Sequence, residues 1–599
     1  MDDNAVAYSA ASAWLDTFGS ALASRNVDAV VQCFHPDGVL RDILAFSWNN
    51  RSLEGRAKIA AYLRESPRKI ADVQLDHRPW LKPEMNGFNT KILVPHDDGI
   101  GAAFTCRVDG IGPGQGYFFL ARDNDGDWKA VSVFTRLVDI AGHEEWLEEY
   151  GVFGGHTLAW VDVRRERREK IEKEPYVLIS AFSLALLATK ALNLLRAVGA
   201  GQTGLNLAAQ MTHMNIPVLV VENNARVGDN WRKRYPTLSL HTTKFYGELL
   251  YQPYPATWPI YAAREKIADW LEQYVITQDL VVWTNSRPTP GPKYDPATRK
   301  WTVVIDRAGE RVTLYPAHIV VTGVLGAPRI PALENQDKFN GTILHSIDYV
   351  GAAPFAGKRV VVIGAGNTSA DICQDLVFRK AAEVTMVQRS STTVIPVQAV
   401  AQRERGHFPP GRPTAVSDFM LLALPVSLQQ RLYEQNIVGF LDAFKDLYGS
   451  LEFAGFKVNT SKEFFSLFYS AYGGYSFDVG CASLITSGQV RVKQGVEPVG
   501  FRSDSLVFSD ETNVQADVVI FATSYERNRD TMRSIFGDAI IDQTSPAWGL
   551  DEEGELRGCW RPSGHPGLWF GAGEFFTARA YPKQLALQIK AIELGLMTM

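Results

Sequence analysis

Gly199, Gly201 and Gly204 stand in VGAGQTGLNLAAQM, and Gly364, Gly366 and Ser369 in VIGAGNTSADICQD. The spacings are GxGxxG and GxGxxS. The first glycine of such a loop permits a tight turn, the second lets the main chain approach a pyrophosphate, and the third small residue lets the next helix pack close to the strand. The first N–H groups of that helix then face the phosphates. The tips of the two units differ. VLVVE ends in Glu222, whose carboxylate accepts hydrogen bonds from a ribose diol and repels a 2′-phosphate. EVTMVQR ends in Arg389, flanked by Ser390 and Ser391, and a guanidinium suits a 2′-phosphate through bidentate hydrogen bonds. The first loop therefore asks for FAD or NAD and the second for NADP. Together they describe FAD in one domain and NADPH in another, with hydride passing from nicotinamide to flavin.

A disulfide reductase of this build needs a redox cysteine pair. The five cysteines, Cys33, Cys106, Cys373, Cys481 and Cys559, contain no CxxC. Between the glycine loops, Phe339, Gly341, His345 and Tyr349 fit FxGxxxHxxxY. Here the chain resembles the flavin-containing monooxygenases. Tyr349 favours them over the Baeyer–Villiger monooxygenases, whose related fingerprint ends in Trp. VGDNWRKRYPTLSLHT, DVVIFATSYERN (with Ser524 where the family has glycine) and GLWFGAGEFFTARAYPKQLALQIKAIE resemble further family segments. The resemblance runs from Tyr176 to the C-terminus and is strongest to the soluble, YUCCA-like branch. It implies that NADPH reduces FAD, that oxygen adds at flavin C4a, and that the hydroperoxide passes one oxygen atom to a small organic substrate while bound NADP+ shields it. It also implies roles: Trp231 and Arg232 near the flavin pyrophosphate or ring, Asn367 at the NADP phosphates, His345 as support at the domain junction or in catalysis, and His241 near the isoalloxazine as the candidate catalytic side chain. A chain whose FAD loop is broken would instead be a binding protein without catalysis, and one that only makes peroxide an NADPH oxidase.

These loops need parallel sheets to present them. From Tyr176 onward strands alternate with helices, the pattern of α/β folds. The expected fold class is α/β, two Rossmann-like dinucleotide-binding domains preceded by a small α+β cone. The FAD domain spans 176–350 and returns over 516–599. The NADPH domain spans 351–515, with a helical insertion at 399–474 that is either core packing or a substrate cover. Residues 141–175 form a charged linker with Glu166–Lys170 and Glu169–Lys173 at helical spacing. Residues 1–140 open with an amphipathic helix and continue in strands such as GQGYFFLAR. This unit resembles the SnoaL-like (nuclear transport factor 2-like) cone. That implies His35, Asp37 and Asp42 as candidate catalytic groups, although FHPDGVLRD reads equally as a turn. A dimerising or substrate-presenting module, with the chain forming a homodimer, is the other expectation.

The FAD loop poses a puzzle. Eighteen residues, Ser180 to Ala197, separate the strand YVLI from its glycines. Without them the sequence reads YVLIVGAGQTG. With them, either the segment is an insertion such as an unremoved intron leaves, or it loops out and LLRAV forms the strand with Arg196 in the sheet, where an unpaired guanidinium costs several kcal/mol. The segment is too short for a membrane span of roughly 20 apolar residues and holds Lys190 in its middle. A net charge of −5 over 599 residues gives no sign of a nucleic-acid or membrane-surface partner. The acidic start MDDNAVAYSA is no secretory signal, and scattered cysteines fit a reducing, cytoplasmic setting.

Overall fold

Helix α1 (Asp3–Ala23) buries Ala7, Ala11, Trp14, Leu15, Phe18 and Leu22, the helical stripe the sequence shows. The structure, a computed structural model, describes residues 3–86, 98–148, 159–181, 199–323, 325–462, 464–471 and 473–598. The stripe of α1 packs on a sheet of β1 (Phe34–Ile43), β2 (Asn50–Glu54), β3 (Ile70–Leu75), β4 (Gly99–Val108), β5 (Gly112–Arg122) and β6 (Trp128–Leu137), ordered β2-β1-β6-β5-β4-β3. Glu84–Met85 adds a short pairing to β4. Only β1 and β6 pair in parallel among these neighbours. Period-2 alternation sends side chains to opposite faces. Phe104 and Phe118 meet Phe18 and Trp14 of α1, and Asp42 meets Tyr62 of α2 (Arg56–Glu65). Arg41, Tyr117 and Phe134 face the rest of the chain. The charged run 160–173 is a helix laced by Arg165–Asp162 and Arg168–Glu172 pairs.

The next sheet is all parallel. It contains β7 (Val177–Ser180), β8 (Val218–Val221), β9 (Val282–Trp283) and β10 (His318–Thr322), ordered β9-β8-β7-β10 and completed by Leu568–Gly571. Its longer strands are buried at every position, as sheets covered on both faces are. Helices α3 (Gln202–His213) and α4 (Arg264–Thr277) belong to this domain. A second parallel sheet has β11 (Thr342–His345), β12 (Arg359–Ile363), β13 (Glu383–Gln388), β14 (Arg491–Gln494) and β15 (Val518–Phe521) in the order β11-β15-β12-β13-β14. Helix α5 (Asn367–Phe378) follows its glycine loop. The boundaries expected at 350 and 516 are therefore displaced, because β11 and β15 pair within the second sheet. TILH and VVIF are apolar runs whose sequence does not say which sheet they join.

Between β13 and β14 the chain runs through α6 (Val397–His407), α7 (Thr414–Leu422), α8 (Val426–Ala443) and Lys445–Phe453. Pro413 and Pro425 stand at the N-caps of α7 and α8, so the apolar stretch breaks there. Helices α9 (Phe575–Ala580) and α10 (Pro582–Glu593) close the fold against α3. Among the described residues no helix is long and apolar enough to cross a membrane, and all five cysteines are free and buried.

The sheet position before the FAD loop is filled by β7, paired with β8 on one side and β10 on the other. The loop glycine sits at the end of this strand. A Cβ at Gly199 would lie 3.3 Å from the Ile179 carbonyl oxygen and 2.1 Å from that of Val221. The chain thus leaves β7 and re-enters at Gly199 in one place. LLRAV and Arg196 lie outside the described residues.

Candidate cofactor and active site

The first loop is built by close approach. A Cβ at Gly204 would meet the Gly199 carbonyl oxygen at 1.9 Å, so only glycine lets α3 come this near the turn. Gly201 is the N-cap of α3 and brings no side-chain cap, leaving the first-turn N–H groups to a ligand. Glu222 follows β8 and is 1% exposed. Its carboxylate accepts hydrogen bonds from the Ala200 N–H at 3.0 Å and from the Asn224 N–H and side-chain amide at 2.8 and 2.7 Å. Burial, partly offset by these bonds, raises its pKa to about 7. The indole Nε1 of Trp231 and Oδ1 of Asn230 are buried without a protein partner among the described residues. Orphaned polar atoms, an uncapped helix and an acidic tip suit an FAD with its ribose at Glu222. Arg232 is directed elsewhere. Its guanidinium donates to the Val227 carbonyl and pairs with Asp229, Asp269 and Glu272, so it organises the 227–232 turn against α4.

The second loop opens on a cavity of about 610 Å³. Gly364, Gly366, Asn367 and Ser369 line it together with Arg389, Ser390 and Thr392, so both halves of the sequence signature meet in one space. Gly364 has φ +126°, and a Cβ there would press on the Ala522 carbonyl oxygen at 2.6 Å. Gly366 caps α5 without a side-chain bond, and the buried Ser369 hydroxyl is unpartnered among the described residues. Arg389 is largely exposed and, among the described residues, pairs with Glu497 at 3.4 Å. A phosphate-bearing nucleotide of the NADP type fits these groups. The opposite lip holds Arg329, Thr523, Ser524 and Tyr525. Ser524 has φ +74°, a backbone conformation that favours glycine. Left-handed backbone costs a side-chain-bearing residue roughly 1–2 kcal/mol, and glycine's extra chain entropy returns part of that. Ser524→Gly is expected to stabilise the protein by about 1 kcal/mol, read as a raised Tm.

The fingerprint residues are structural in distinct ways. A Cβ on Gly341 would strike the Asp517 carbonyl oxygen and the Phe339 ring, each at 2.5 Å, and Phe339 packs on Phe501. His345 ends β11, 1% exposed. Its Nδ1 accepts from the Ile347 N–H at 3.2 Å, its ring meets Tyr525 edge-on, and burial lowers its pKa to about 4. The Tyr349 hydroxyl donates to Asp375 on α5 at 2.7 Å, and the Ala352 N–H joins it at 3.0 Å. One turn earlier on the same face of α5, Asp371 accepts from the Tyr235 hydroxyl at 2.5 Å and meets His241 Nε2 at 3.1 Å. Asn367 accepts from the Phe477 N–H at 2.6 Å. Thus α5, the helix of the NADP loop, is tied by Asp371 to Tyr235 and His241 of the FAD domain. The sequence reading missed Asp371 and Asp375, although their i, i+4 spacing in NTSADICQD was a signal.

Burial alone would lower the His241 pKa, but hydrogen bonding to Asp371, its charge, and further contributions from Asn367 and Asp478 carry it above the ordinary 6.5. A raised folded-state pKa gives stability that is fully present below the unfolded value and is lost as pH rises through the folded one. The Tm difference between the native chain and His241→Asn is therefore expected to be larger at pH 6 than at pH 9.

The N-terminal candidates do not converge. Asp37 is exposed and His35 turns to the Ala121 carbonyl oxygen at 3.3 Å. Asp42 is fully buried and accepts from the Tyr62 and Thr135 hydroxyls at 2.7 and 2.8 Å and from the Ala45 and Phe46 N–H groups, each at 3.1 Å. Burial, opposed by these bonds, raises its pKa to about 6. Phe18, Phe34, Phe104 and Phe118 are buried in the interior of this unit. Asp42 holds the turn after β1 and is not paired with His35.

Two dinucleotide loops of opposite tip charge, joined through α5, define a two-cofactor oxidoreductase. Residues 245–533 match the flavin-binding monooxygenase-like family. Among curated relatives, indole-3-pyruvate monooxygenase YUCCA1 of Oryza sativa subsp. japonica is 27% identical over 57% of this chain and 79% of its own length. YUCCA8 of Oryza sativa subsp. indica is 28% identical over 62% and 82%. Among solved structures, the flavin-containing monooxygenase from Stenotrophomonas maltophilia aligns at 17% identity with a TM-score of 0.46, over 70% of this chain and 99% of that one. Over residues 245–533 the chain is similar to the flavin-binding monooxygenase-like family, and the residues of its two loops fit FAD and NADPH as cofactors.

Proposed function

We propose that this FAD- and NADPH-dependent monooxygenase inserts one atom of O2 into a small organic substrate at the junction spanned by α5. The observation that carries the reading is the pairing of the two loops: Glu222 at the tip of one, Arg389 at the tip of the other, and Asp371 tying their domains together. FAD, when bound, supplies the redox chemistry of hydride acceptance and oxygen activation. The chain's own residues bind, orient and enclose. Gly199, Gly201 and Gly204 admit one pyrophosphate, and Gly364, Gly366, Asn367 and Ser369 the other. Tyr235, His241 and Tyr349 fix α5 through two carboxylates, so His241 acts here by holding the domains in register. Trp231 offers its free indole N–H to the first cofactor. The reading of a binding protein without catalysis is not favoured, since the glycine loop keeps its close approaches at β7.

The substrate class is left to a panel: a tertiary amine, a thioether, a cyclic ketone and indole-3-pyruvate, the acid in the names of the plant relatives. Under 18O2, one of these is expected to yield a product carrying a single labelled oxygen. NADPH consumption matched by peroxide whatever is added would instead make the protein an oxidase. Arg389→Ala is expected to raise the NADPH KM about tenfold, the scale of one charge-assisted contact, and to leave FAD content and the NADH KM unchanged. For the N-terminal unit the helix-backed curved sheet supports a SnoaL-like cone. A homodimer through it would use a surface other than the sheet face that packs on the rest of this chain. Free buried cysteines support a reducing, cytoplasmic setting.

A further inference from the structure

Arg41 lies on β1 of the N-terminal unit, yet it is 1% exposed and, among the described residues, its hydrogen-bond partners lie outside that unit. Its Nε and Nη2 grip Glu555 at 2.7 and 2.9 Å. Nη1 donates to the Leu422 and Leu424 carbonyls at the C-terminal end of α7, at 2.5 and 3.4 Å. Nη2 also reaches the Tyr581 hydroxyl at 3.2 Å, at the corner between α9 and α10. All five guanidinium N–H groups are thereby used. Glu555 is fully buried and also accepts from Ser52 of β2 at 2.7 Å. Around this point Phe419 of α7 inserts against Tyr117, Phe134 and Arg136 of the sheet. On the other side of α7, Asp418 is held by Arg579 of α9. Helix α7 is therefore clamped between the cone and the FAD domain, by one arginine from each.

We infer that Arg41 is a positioning residue for the monooxygenase: through it the N-terminal unit sets α7 against the α9–α10 corner, which packs on α3, the helix of the FAD loop. The inference rests on the proposed function. It predicts that the cone is an integral part of the enzyme and governs how tightly FAD is held and how well NADPH oxidation is coupled to oxygen transfer.

The test uses the full-length chain, Arg41→Met/Glu555→Leu, and Arg41→Lys. The double variant removes both buried charges together, so it avoids the uncompensated charge that a single change leaves. It is expected to keep its Tm within a few degrees while FAD binding, read by flavin fluorescence on titrating apoprotein, weakens about fivefold and the peroxide released per NADPH rises. Arg41→Lys, which keeps the charge but loses the fork, is expected to fall between. A double variant that folds, binds FAD and couples like the native chain overturns the inference. So does one whose loss of Tm fully accounts for its weaker binding, because the residue is then only structural. If the native chain itself binds FAD but never couples NADPH to substrate, the proposed function fails instead, and the binding result still decides the role of Arg41.

Discussion

A chain lacking Ser180–Ala197 is expected to purify with more FAD than the full chain and to be at least as stable. In the structure Val177–Ser180 already occupies the sheet position that precedes the loop, and Gly199 meets the end of that strand. Joining Ile179 to Val198 places a valine where Ser180 now sits between Val221 and Val321, fully buried, with its hydroxyl donating, among the described residues, to its neighbour's carbonyl. The strand then runs apolar into the turn. Closing an eighteen-residue excursion costs roughly 2.5 kcal/mol of chain entropy. Where that ordering accompanies FAD binding, removing it tightens binding up to about seventyfold. Where the apoprotein already bears it, the gain appears as Tm. The measurement is visible flavin absorbance per protein, with a thermal melt of each chain. Equal flavin content together with a lower Tm in the shortened chain would show that the segment is an integrated part of the domain, and the insertion reading would fall.

The glycine loops were legible because close approach is written in residue type. Nothing larger than Gly204 fits 1.9 Å from a carbonyl oxygen. The fingerprint was legible as a pattern, but its roles were not. Tyr349 acts through Asp375 and His345 through its own following turn, and neither partner belongs to the motif. Arg232 read as a cation beside a flavin loop, yet its acids, Asp269 and Glu272, come from a helix the motif does not include. Arg41 was invisible for the same reason at greater range. In VLRD it reads as an ordinary charge beside a turn, and its carboxylate partner lies 514 residues away. The sequence reading likewise placed β11 and β15 in the FAD domain, whereas they pair within the second sheet, since pairing, not composition, decides it. Local constraints on backbone volume survive in the sequence, whereas partnerships set by the packing of domains do not.

Arg579→Met is expected to be among the most damaging single substitutions in the protein. Arg579 is 3% exposed on α9, and Nε and Nη2 hold the two oxygens of Asp418 at 2.7 Å each. Nη1 donates to the Tyr246 and Glu248 carbonyls at 2.8 and 2.7 Å, and the guanidinium lies over the Phe408 ring. Burial alone would lower its pKa. The charge of Asp418 and the hydrogen bonds to it outweigh that and raise it, so the guanidinium stays charged in its buried site. Methionine fills much of the volume but strands a buried carboxylate on α7 and two carbonyls in the 246–248 loop. Breaking one partner of a buried pair costs about 3–5 kcal/mol, whereas replacing both by apolar groups of similar size is often neutral. Arg579→Met/Asp418→Leu should therefore recover most of the lost Tm, and Arg579→Lys should lie between, because a point charge cannot satisfy both Asp418 and the loop carbonyls. Because α9 follows the last strand of the FAD sheet and packs on α3, the single variant should also lose flavin on gel filtration while the double variant keeps part of it. A single-variant loss below about 1 kcal/mol, the size of an ordinary exposed ion pair, would mean that α7 relaxes and water reaches Asp418, and the clamped placement of α7 between the two domains would have to be given up.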